Sequence, residues 1–270
     1  PARRPPRPSG DPGMSIGETP PAPGPVEMLL LLTPPNSGST SMADFMAQSP
    51  RVGGLQRRYE GQWLVDHLHE KDRWNDQKPC DYEMIGKVWR EAADATMQKH
   101  PEVIYIIEKS PPNMVRYREV LALFDRTRVV INNRDPYASV SSLGYRYHGF
   151  DELDRAQRLE RVESLAERWI GSARILKRIA EREGYPMIRY EEFCEAPEAI
   201  FHKFGLSETR SAGADRNYLV NVKDYPSQPI RNMNEEQISR LSTEELERIG
   251  KTLSTDADVV RFFGYEIRPG

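Results

Sequence analysis

One apolar run that passes straight into a loop of small polar residues constrains the fold of this chain most. Residues Met28–Thr33 read as a buried β-strand, and the loop that follows at positions 34–40 reads PPNSGST. The spacing from Met42 to Gln48 then predicts a helix. Backbone N–H groups at the start of a helix lack intrahelical partners and attract anions. The strand, loop and helix together predict a cradle for a phosphate or a sulfate group.

The residue types within the loop suit this role. Gly38 lets the backbone come close to a ligand, because it carries no side chain. The hydroxyl groups of Ser37, Ser39 and Thr40 add further hydrogen-bond donors. No Gly-Lys pair is present, as a nucleotide-triphosphate loop requires, and Asn36 stands where a cation would be expected. A serine-capped helix after a core strand, without a ligand, is the plain alternative.

A second strand end carries an arginine and a serine at a spacing that suits the same ligand. Residues Val129–Ile131 read as a buried strand that leads to Arg134, Asp135 and Pro136, and the proline suits the first turn of a helix. Ser142 follows Arg134 by eight residues, about two helical turns after the helix start. A guanidinium group together with a hydroxyl can hold a dianionic phosphate. The alternative for Arg134 and Asp135 is a surface ion pair.

These motifs resemble those of the sulfotransferases that use 3′-phosphoadenosine 5′-phosphosulfate (PAPS). In that family a strand–loop–helix with the pattern S-G-S/T-T holds the 5′-phosphosulfate, and residues 33–40 look like it. The family's pattern R-D/N-P, followed by a serine, holds the 3′-phosphate, and Arg134 and Ser142 fit that spacing. The resemblance therefore implies PAPS as the donor and 3′-phosphoadenosine 5′-phosphate (PAP) as the product.

Two later stretches resemble the same family, so that the resemblance runs from about residue 26 to residue 265. Met187–Phe193 is similar to the family's strand that ends in Tyr-Glu-Asp, whose tyrosine, here Tyr190, lies near the adenine. A core tyrosine at a strand end is the alternative. Arg231 resembles only loosely the late basic residue that faces the 3′-phosphate in the family.

The resemblance also implies the group that stabilises the leaving phosphate. Residues Ile107–Asn113 look like the family's strand-end Lys-x-x-x-Pro/Asn region, which makes Lys109 the candidate cation for the sulfuryl and bridging oxygens. Its role is expected to be larger than usual, because Asn36 carries no charge and can donate only a hydrogen bond. A solvated Lys109 paired with Glu108 is the alternative.

The chain departs from the cytosolic members of the family at three places. Those members usually carry a lysine in the first loop and an aromatic residue shortly after it, where this chain has Asn36 and then Ser41 and Met42. They also use a histidine two residues after the mid-chain lysine as general base, and Pro111 takes that position here. These differences favour a branch that uses a glutamate base.

Glu60 is the first candidate for that base. The segment from Glu60 to Trp63 resembles the Gly-Glu segment of glutamate-base members, and burial is expected to raise the pKa of this carboxyl group toward neutrality. A glutamate that merely favours a helix start is the alternative. Glu108 is the second candidate, and His67 or His69 is the third.

The rest of the chain alternates strands with helices and predicts an α/β, P-loop-like, three-layer sandwich with a central parallel sheet. Val103–Ile107 reads as a strand, and the spacing predicts helices over 82–99, 115–124 and 151–183. A parallel sheet covered by helices on both faces binds ligands outside the carboxyl ends of its strands. The proposed site residues would therefore converge at one edge.

Composition separates residues 1–25 from the remainder. This segment is rich in Pro, Gly and Arg and has almost no large apolar side chains, which predicts a disordered linker or a remnant of expression. Residues 26–270 are expected to form a single sulfotransferase domain. The linker-like start also fits a domain taken from a larger multidomain chain.

Bulk properties exclude some classes of partner. A net charge of −3 and a pI near 6.1 give no footprint for nucleic acid. The stretch Val26–Leu32, apolar except for Glu27, is too short to cross a membrane. Cys80 and Cys194 offer neither a disulfide framework nor metal-ligand spacing, so we expect no metal and a reducing, cytoplasmic location.

We therefore expect an enzyme that moves a sulfuryl group from PAPS to a hydroxyl or an amine. The sequence has no polybasic groove for acidic glycans, which favours a small metabolite or natural-product intermediate as acceptor over a protein or a glycan. Two alternatives remain open. A P-loop kinase of a small molecule would need Gly-Lys-Ser/Thr, which is missing. A catalytically silent nucleotide-binding domain would explain the missing loop lysine and histidine.

Overall fold

The apolar run of the sequence forms the middle strand of a parallel β-sheet. The computed structural model describes residues 26–55, 58–65, 70–206, 218–221 and 227–268. The predictions for residues 1–25 and for His67 and His69 lie outside these residues. Within them, the strands are β1 Glu27–Leu32, β2 Val52–Gly54, β3 Tyr105–Glu108, β4 Thr127–Asn133, β5 Met187–Arg189, β6 Leu219–Val220 and β7 Gln228–Pro229. The helices are α1 Ser39–Met46, α2 Glu70–Arg73, α3 Tyr82–Lys99, α4 Tyr117–Leu121, α5 Pro136–Tyr147, α6 Arg155–Glu183, α7 Tyr190–Glu195, α8 Ala199–Lys203, α9 Asn234–Ile238, α10 Thr243–Leu253 and α11 Ala257–Phe262, with 3₁₀ turns at Gly61–Leu64, Pro111–Met114 and Ser254–Asp256.

The main sheet has the strand order β2-β3-β1-β4-β5, and all of its neighbouring strands are parallel. In the register of the sheet, Leu30 of β1 pairs with Glu108 on one side and with Val129 on the other. Strands β6 and β7 form a separate antiparallel pair. The order places β1 at the centre, so that the loop after it lies between the ends of β3 and β4.

The two faces of β1 bury different side chains, because successive residues of a strand point to opposite sides. Met28, Leu30 and Leu32 pack with one core, which includes buried side chains of α3, α5, α6 and α10. Leu29 and Leu31 pack with a second core, which includes those of α1, α7 and α8. The predicted three-layer arrangement, with a parallel sheet between helices, is thereby confirmed.

Element boundaries follow local capping more than hydrophobic spacing. Helix α3 has the predicted bounds. Helix α6 starts at Arg155 rather than at Asp151, because Asp154 caps it. The Asp154 carboxylate accepts the Gln157 N–H at 2.9 Å, and the Gln157 side chain accepts the Asp154 N–H in return. The helix expected over 115–124 is shortened to α4. Strand β2 was not predicted, because three residues with two glycines give no pattern.

No helix in the described part of the chain combines the length and the apolar character needed to cross a membrane.

Candidate active site

The carboxyl ends of the central strands surround a cavity of about 470 Å³. The loop after β1 contributes Gly38, the segment after β3 contributes Lys109, the segment after β4 contributes Arg134, and Tyr190 follows β5. Two motifs that lie almost a hundred residues apart in the sequence thus face one space. Parallel α/β sheets place their ligands at this edge.

Glycine is required at position 38 for two reasons. Its φ of +81° lies in the left-handed region, and a Cβ atom there would stand 2.2 Å from Cδ2 of Tyr190. The aromatic ring therefore packs directly on the loop. Asn36, with a φ of 59°, gives the loop a second left-handed turn. Asn36, Gly38, Ser39 and Thr40 all line the cavity.

The Ser37 hydroxyl fixes the loop from beneath. It donates to the Pro34 carbonyl at 2.6 Å and lies 2.5 Å from the Thr33 hydroxyl. The Asn132 side-chain amide donates to the Ser37 carbonyl and to both hydroxyl oxygens, at 3.0 Å each. Ser37 does not line the cavity. Its side chain therefore supports the loop, and the prediction that its hydroxyl contacts the ligand is wrong.

Arg134 is held almost completely inside the protein, with 6% of its surface exposed. Its Nε donates to Oδ1 of Asn234 at 2.8 Å, and its Nη1 donates to the Asn36 carbonyl at 3.1 Å. The guanidinium carbon lies 4.3 Å from the centre of the Tyr190 ring. Arg134 therefore joins the β4 end to the loop after β1.

Two buried donors at this place have no hydrogen-bond partner in the described part of the chain. They are Nη2 of Arg134 and Nδ2 of Asn36, and both residues line the cavity. Leaving a buried donor unpaired costs about 1–3 kcal/mol. A ligand with anionic oxygens would satisfy both.

The motif around Arg134 is explained by helix α5. The Asp135 carboxylate accepts the Ala138 N–H at 2.9 Å, so it caps the helix, and Pro136 occupies the first turn as predicted. Ser142 of the same helix lines the cavity. The alternative of a surface ion pair between Arg134 and Asp135 is wrong, because Asp135 caps the helix and Arg134 is buried.

A supporting network behind Arg134 was not predicted. Asn234, which holds the guanidinium group, donates its side-chain amide to Glu191, and Glu191 also accepts the Asp135 N–H at 3.0 Å and the Tyr265 hydroxyl at 3.0 Å. The Trp169 indole N–H donates to the Arg134 carbonyl at 3.0 Å. Glu191 stands in the stretch that resembles the family's Tyr-Glu-Asp, but no sequence signal marked Asn234.

Arg231 lies away from the main cavity. Its side chain is 53% exposed and pairs with Glu236 at 3.0 Å. The residue lines a small neighbouring cavity instead, and its carbonyl accepts the Tyr190 hydroxyl at 2.9 Å. Its backbone therefore helps to place the aromatic ring, while its side chain does not reach the space shared by Gly38 and Arg134.

A buried ion pair lies at the floor of the cavity. Lys109, 2% exposed, contacts the carboxylate of Glu60, which is 6% exposed. The same ammonium group donates to the Thr40 hydroxyl at 2.9 Å. Lys109, which follows β3, thus places a positive charge at the start of α1. The loop before α1 has no lysine of its own. The alternative pairing of Lys109 with Glu108 is wrong.

The Glu60 carboxylate is ionised more readily than the sequence analysis anticipated. Burial raises the pKa of this group, but the charge of Lys109 and hydrogen bonds from Lys109, Trp63 and Gln62 outweigh burial and hold the pKa below its ordinary value. The expectation of a pKa near neutrality is therefore wrong for the protein without ligands. Glu60 is already a proton acceptor in form, with Trp63 and Gln62 fixing its Oε2 at 2.8 and 2.6 Å.

Glu108 has a supporting position. It is fully buried and does not line the cavity, and it accepts the N–H groups of Gly61 and Ser110 at 2.6 and 2.8 Å and the Asn113 side chain at 3.0 Å. Burial raises the pKa of its carboxyl group. Because its bonds fix the turn that carries Glu60, the structure argues against Glu108 as a base.

The sequence profile of the sulfotransferase family matches residues 29–204. The chain therefore belongs to the sulfotransferase family and is a sulfotransferase. No curated protein sequence matches it significantly.

Two solved structures with TM-scores above 0.5 show the same fold, and a third is also similar. Sulfotransferase STF9 from Mycobacterium avium aligns with a TM-score of 0.55 at 14% identity, over 92% of this chain and 79% of that chain. A sulfotransferase from Alicyclobacillus acidocaldarius aligns with a TM-score of 0.51 at 14% identity, over 88% and 96% of the two chains. The sulfotransferase domain of the Synechococcus PCC 7002 olefin synthase aligns with a TM-score of 0.49 at 19% identity, over 93% and 99%.

Proposed function

We propose that this sulfotransferase takes the sulfuryl group from PAPS and delivers it to a hydroxyl or an amine of a small acceptor. The observation that carries the proposal is that the Gly38 loop and Arg134 line the same cavity. Arg134 donates to the carbonyl of Asn36, and each of these two residues has a buried side-chain donor without a partner in the described part of the chain. PAPS carries phosphate groups at both ends of its adenosine, and the cavity has two anion-binding elements that could each hold one of them.

The residues divide between the two ends of the donor. Asn36, the N–H groups at the start of α1 and the Thr40 hydroxyl would hold the 5′-phosphosulfate. Arg134 and Ser142 would hold the 3′-phosphate, for which a guanidinium group and a hydroxyl provide charge-assisted hydrogen bonds. The Tyr190 ring, packed against Gly38 and Arg134, would flank the adenine.

Lys109 and Glu60 would carry out the chemistry. When PAPS is bound, it supplies a sulfuryl group on a phosphate leaving group. Glu60 would take the proton from the acceptor, whose oxygen or nitrogen would bond to sulfur as the bond from sulfur to the phosphate oxygen breaks. Lys109 would neutralise the negative charge that grows on that bridging oxygen, and PAP would be the second product.

The two alternative functions make different demands on the same residues. A kinase would place a hydroxyl of the loop on Mg²⁺, whereas the Thr40 hydroxyl lies against the Lys109 ammonium group. A silent binding domain would bind PAPS without turning it over. We further propose that residues 26–270 form a single catalytic domain, that the protein is cytoplasmic, and that the domain is part of a larger multidomain chain.

Transfer of radioactive sulfate from labelled PAPS tests the proposal. The protein is incubated with labelled PAPS and a mixture of small phenols, alcohols and amines, and both transfer and slow hydrolysis of PAPS are followed. We expect metal-independent release of PAP, and its loss in Glu60→Gln. Binding of ATP that requires Mg²⁺, without any turnover of PAPS, would instead support the kinase.

A further inference from the structure

The cavity has a second group of lining residues that the donor does not need. Aromatic and basic side chains form this group, which we call the aromatic–basic wall: Trp63, Trp74, Arg146, Tyr147, His148 and Arg168. They come from the turn after Glu60, from the segment after α2, from the end of α5 and from α6. None of them belongs to the motifs that hold the donor in our proposed function.

The wall exposes aromatic surface. Trp63 is 52% exposed and Tyr147 is 53% exposed, more than any other large apolar side chain of the described residues. Single exposed apolar residues need no explanation, but two aromatic rings on one concave surface are typical of a ligand site. The wall therefore suits a flat or apolar ligand.

The indole of Trp63 connects this surface to the reacting groups. Its N–H donates to Oε2 of Glu60 at 2.8 Å, so one edge of the ring is fixed beside the carboxylate while the rest is open. A compound that rests on this ring lies next to Glu60. The aromatic part of the wall is therefore positioned to present an acceptor to the general base of our proposal.

The described residues of the wall include basic side chains and no acidic ones. Glu60 is the only acidic residue that lines the described cavity, and Lys109 already neutralises it. Arg168 lies 5.7 Å from the centre of the Trp74 ring and has no carboxylate partner in the described residues. The pKa of His148 is lowered by burial and then by the charges of Arg161 and Arg168. Arg146 also lines the cavity.

We propose that the acceptor carries an anionic group, a carboxylate or a phosphate ester, at some distance from the hydroxyl that is sulfated, and that Arg168 and Arg146 recognise this group. The inference rests on the proposed function and names the class of acceptor for the same site. Its aromatic or apolar portion packs against Trp63, and its anion pairs with the arginines. Arg146 follows Ser142 by one helical turn, so contact with the donor's 3′-phosphate is the competing assignment.

Matched probes separate these assignments. The PAP-loaded protein is titrated by calorimetry with 3-(4-hydroxyphenyl)propanoate, with its neutral methyl ester and with 2-(4-hydroxyphenyl)ethyl phosphate, and the same compounds serve as acceptors for labelled PAPS. We expect at least one anionic probe to bind and react about 10- to 100-fold better than the ester, the range for a charge-assisted hydrogen bond. The better of the two anions identifies the group.

The variants Arg168→Gln and Arg146→Gln should each reduce that preference severalfold, with the affinity for PAP and the rate with the ester unchanged. Arg178→Gln is the matched control, since Arg178 is an exposed arginine of the same helix, α6, that does not line the cavity. Equal binding of ester and anions by the wild type, or no binding of any probe, overturns the inference. So does a tenfold loss of PAP affinity in the arginine variants. Hydrolysis of PAPS without acceptor would still support the proposed function in each of these cases, and its absence would count against that function instead.

Discussion

The two sides of the cavity differ in how firmly their side chains are held. On the donor side, Arg134 and Lys109 are buried and fixed by hydrogen bonds to neighbouring elements. On the aromatic–basic wall, Trp63 and Tyr147 expose half of their surface. A buried, hydrogen-bonded donor side suits a ligand that is the same in every reaction cycle, because preorganised dipoles need no rearrangement when it binds. An open wall suits the partner whose identity differs between related enzymes.

The difference also shows where free energy is stored. On the donor side, the unpaired donors of Asn36 and Arg134 and the buried Lys109–Glu60 pair each carry a cost without ligand. The half-exposed rings of Trp63 and Tyr147 on the wall carry no such cost. Variants on the donor side should therefore change turnover, stability and nucleotide affinity, whereas variants on the wall should change the choice of acceptor.

Replacing the proposed base should have the largest effect on activity. Glu60→Gln keeps the size of the side chain and removes its ability to take a proton, so turnover should fall by about 10²- to 10⁴-fold. The affinity for PAP, measured by calorimetry, should stay within a few-fold of wild type. Near-normal turnover would show that Glu60 is not the base, and it would contradict the assignment of the chemistry to the buried donor side of the cavity.

Removing the cation should damage both activity and stability. Lys109→Ala leaves Glu60 buried without its charged partner, which costs about 3–5 kcal/mol in the free energy of unfolding. The double variant Lys109→Ala with Glu60→Gln should recover most of the stability, measured by urea denaturation, and none of the turnover. If the double variant were as unstable as the single one, the pair would not be the reason for the loss.

A smaller effect is expected where the loop meets the tyrosine ring. Gly38→Ala adds a Cβ that would lie 2.2 Å from the Tyr190 ring at a φ of +81°, and should weaken PAP binding by about 1–3 kcal/mol. Gly184→Ala is the control, since Gly184 has a φ of +68° with nothing within 4 Å of the added atom. The control should lose a little stability and no PAP affinity. Equal effects on PAP binding would show that the ring contact is irrelevant.

The smallest effect is a dependence of stability on pH. The folded pKa of Glu60 lies below its ordinary value of 4.5. Its ionised form therefore stabilises the protein fully above that ordinary pKa, and the stabilisation is lost as the pH falls through the lower folded pKa. Urea denaturation at several pH values should show a gap between wild type and Glu60→Gln that is constant near pH 7 and narrows only in acid. A gap that narrows between pH 6 and 8 would contradict a lowered pKa.

Strand ends explain which parts of the molecule could be predicted from sequence. The loop with Gly38 and the segment with Arg134 each follow a short apolar strand, and parallel strands bring such ends together. Lys109 also follows a strand, and it was predicted from the resemblance of residues 107–113 to the family. These positions depend on contiguous residues, whose pattern is visible in a single sequence.

The parts that could not be predicted depend on distant pairings. The pairing of Lys109 with Glu60, rather than with its neighbour Glu108, follows from a turn that crosses the end of β3. Asn234 reaches Arg134 from a helix a hundred residues later. The wall residue Arg168 stands on a long charged helix, where it looks like an ordinary solvated side chain. No local spacing reports such contacts.

The central claim is that one cavity binds both the 5′-phosphosulfate and the 3′-phosphate of the donor. A comparison of two nucleotides tests this claim most directly. Calorimetry measures the affinities of PAP and of adenosine 5′-monophosphate, which lacks the 3′-phosphate, for wild type and for Arg134→Ala. We predict that wild type prefers PAP by about 1.5–3 kcal/mol and that Arg134→Ala abolishes this preference while its affinity for the monophosphate is retained. Equal affinities in the wild type, or a preference that survives in Arg134→Ala, would contradict the account.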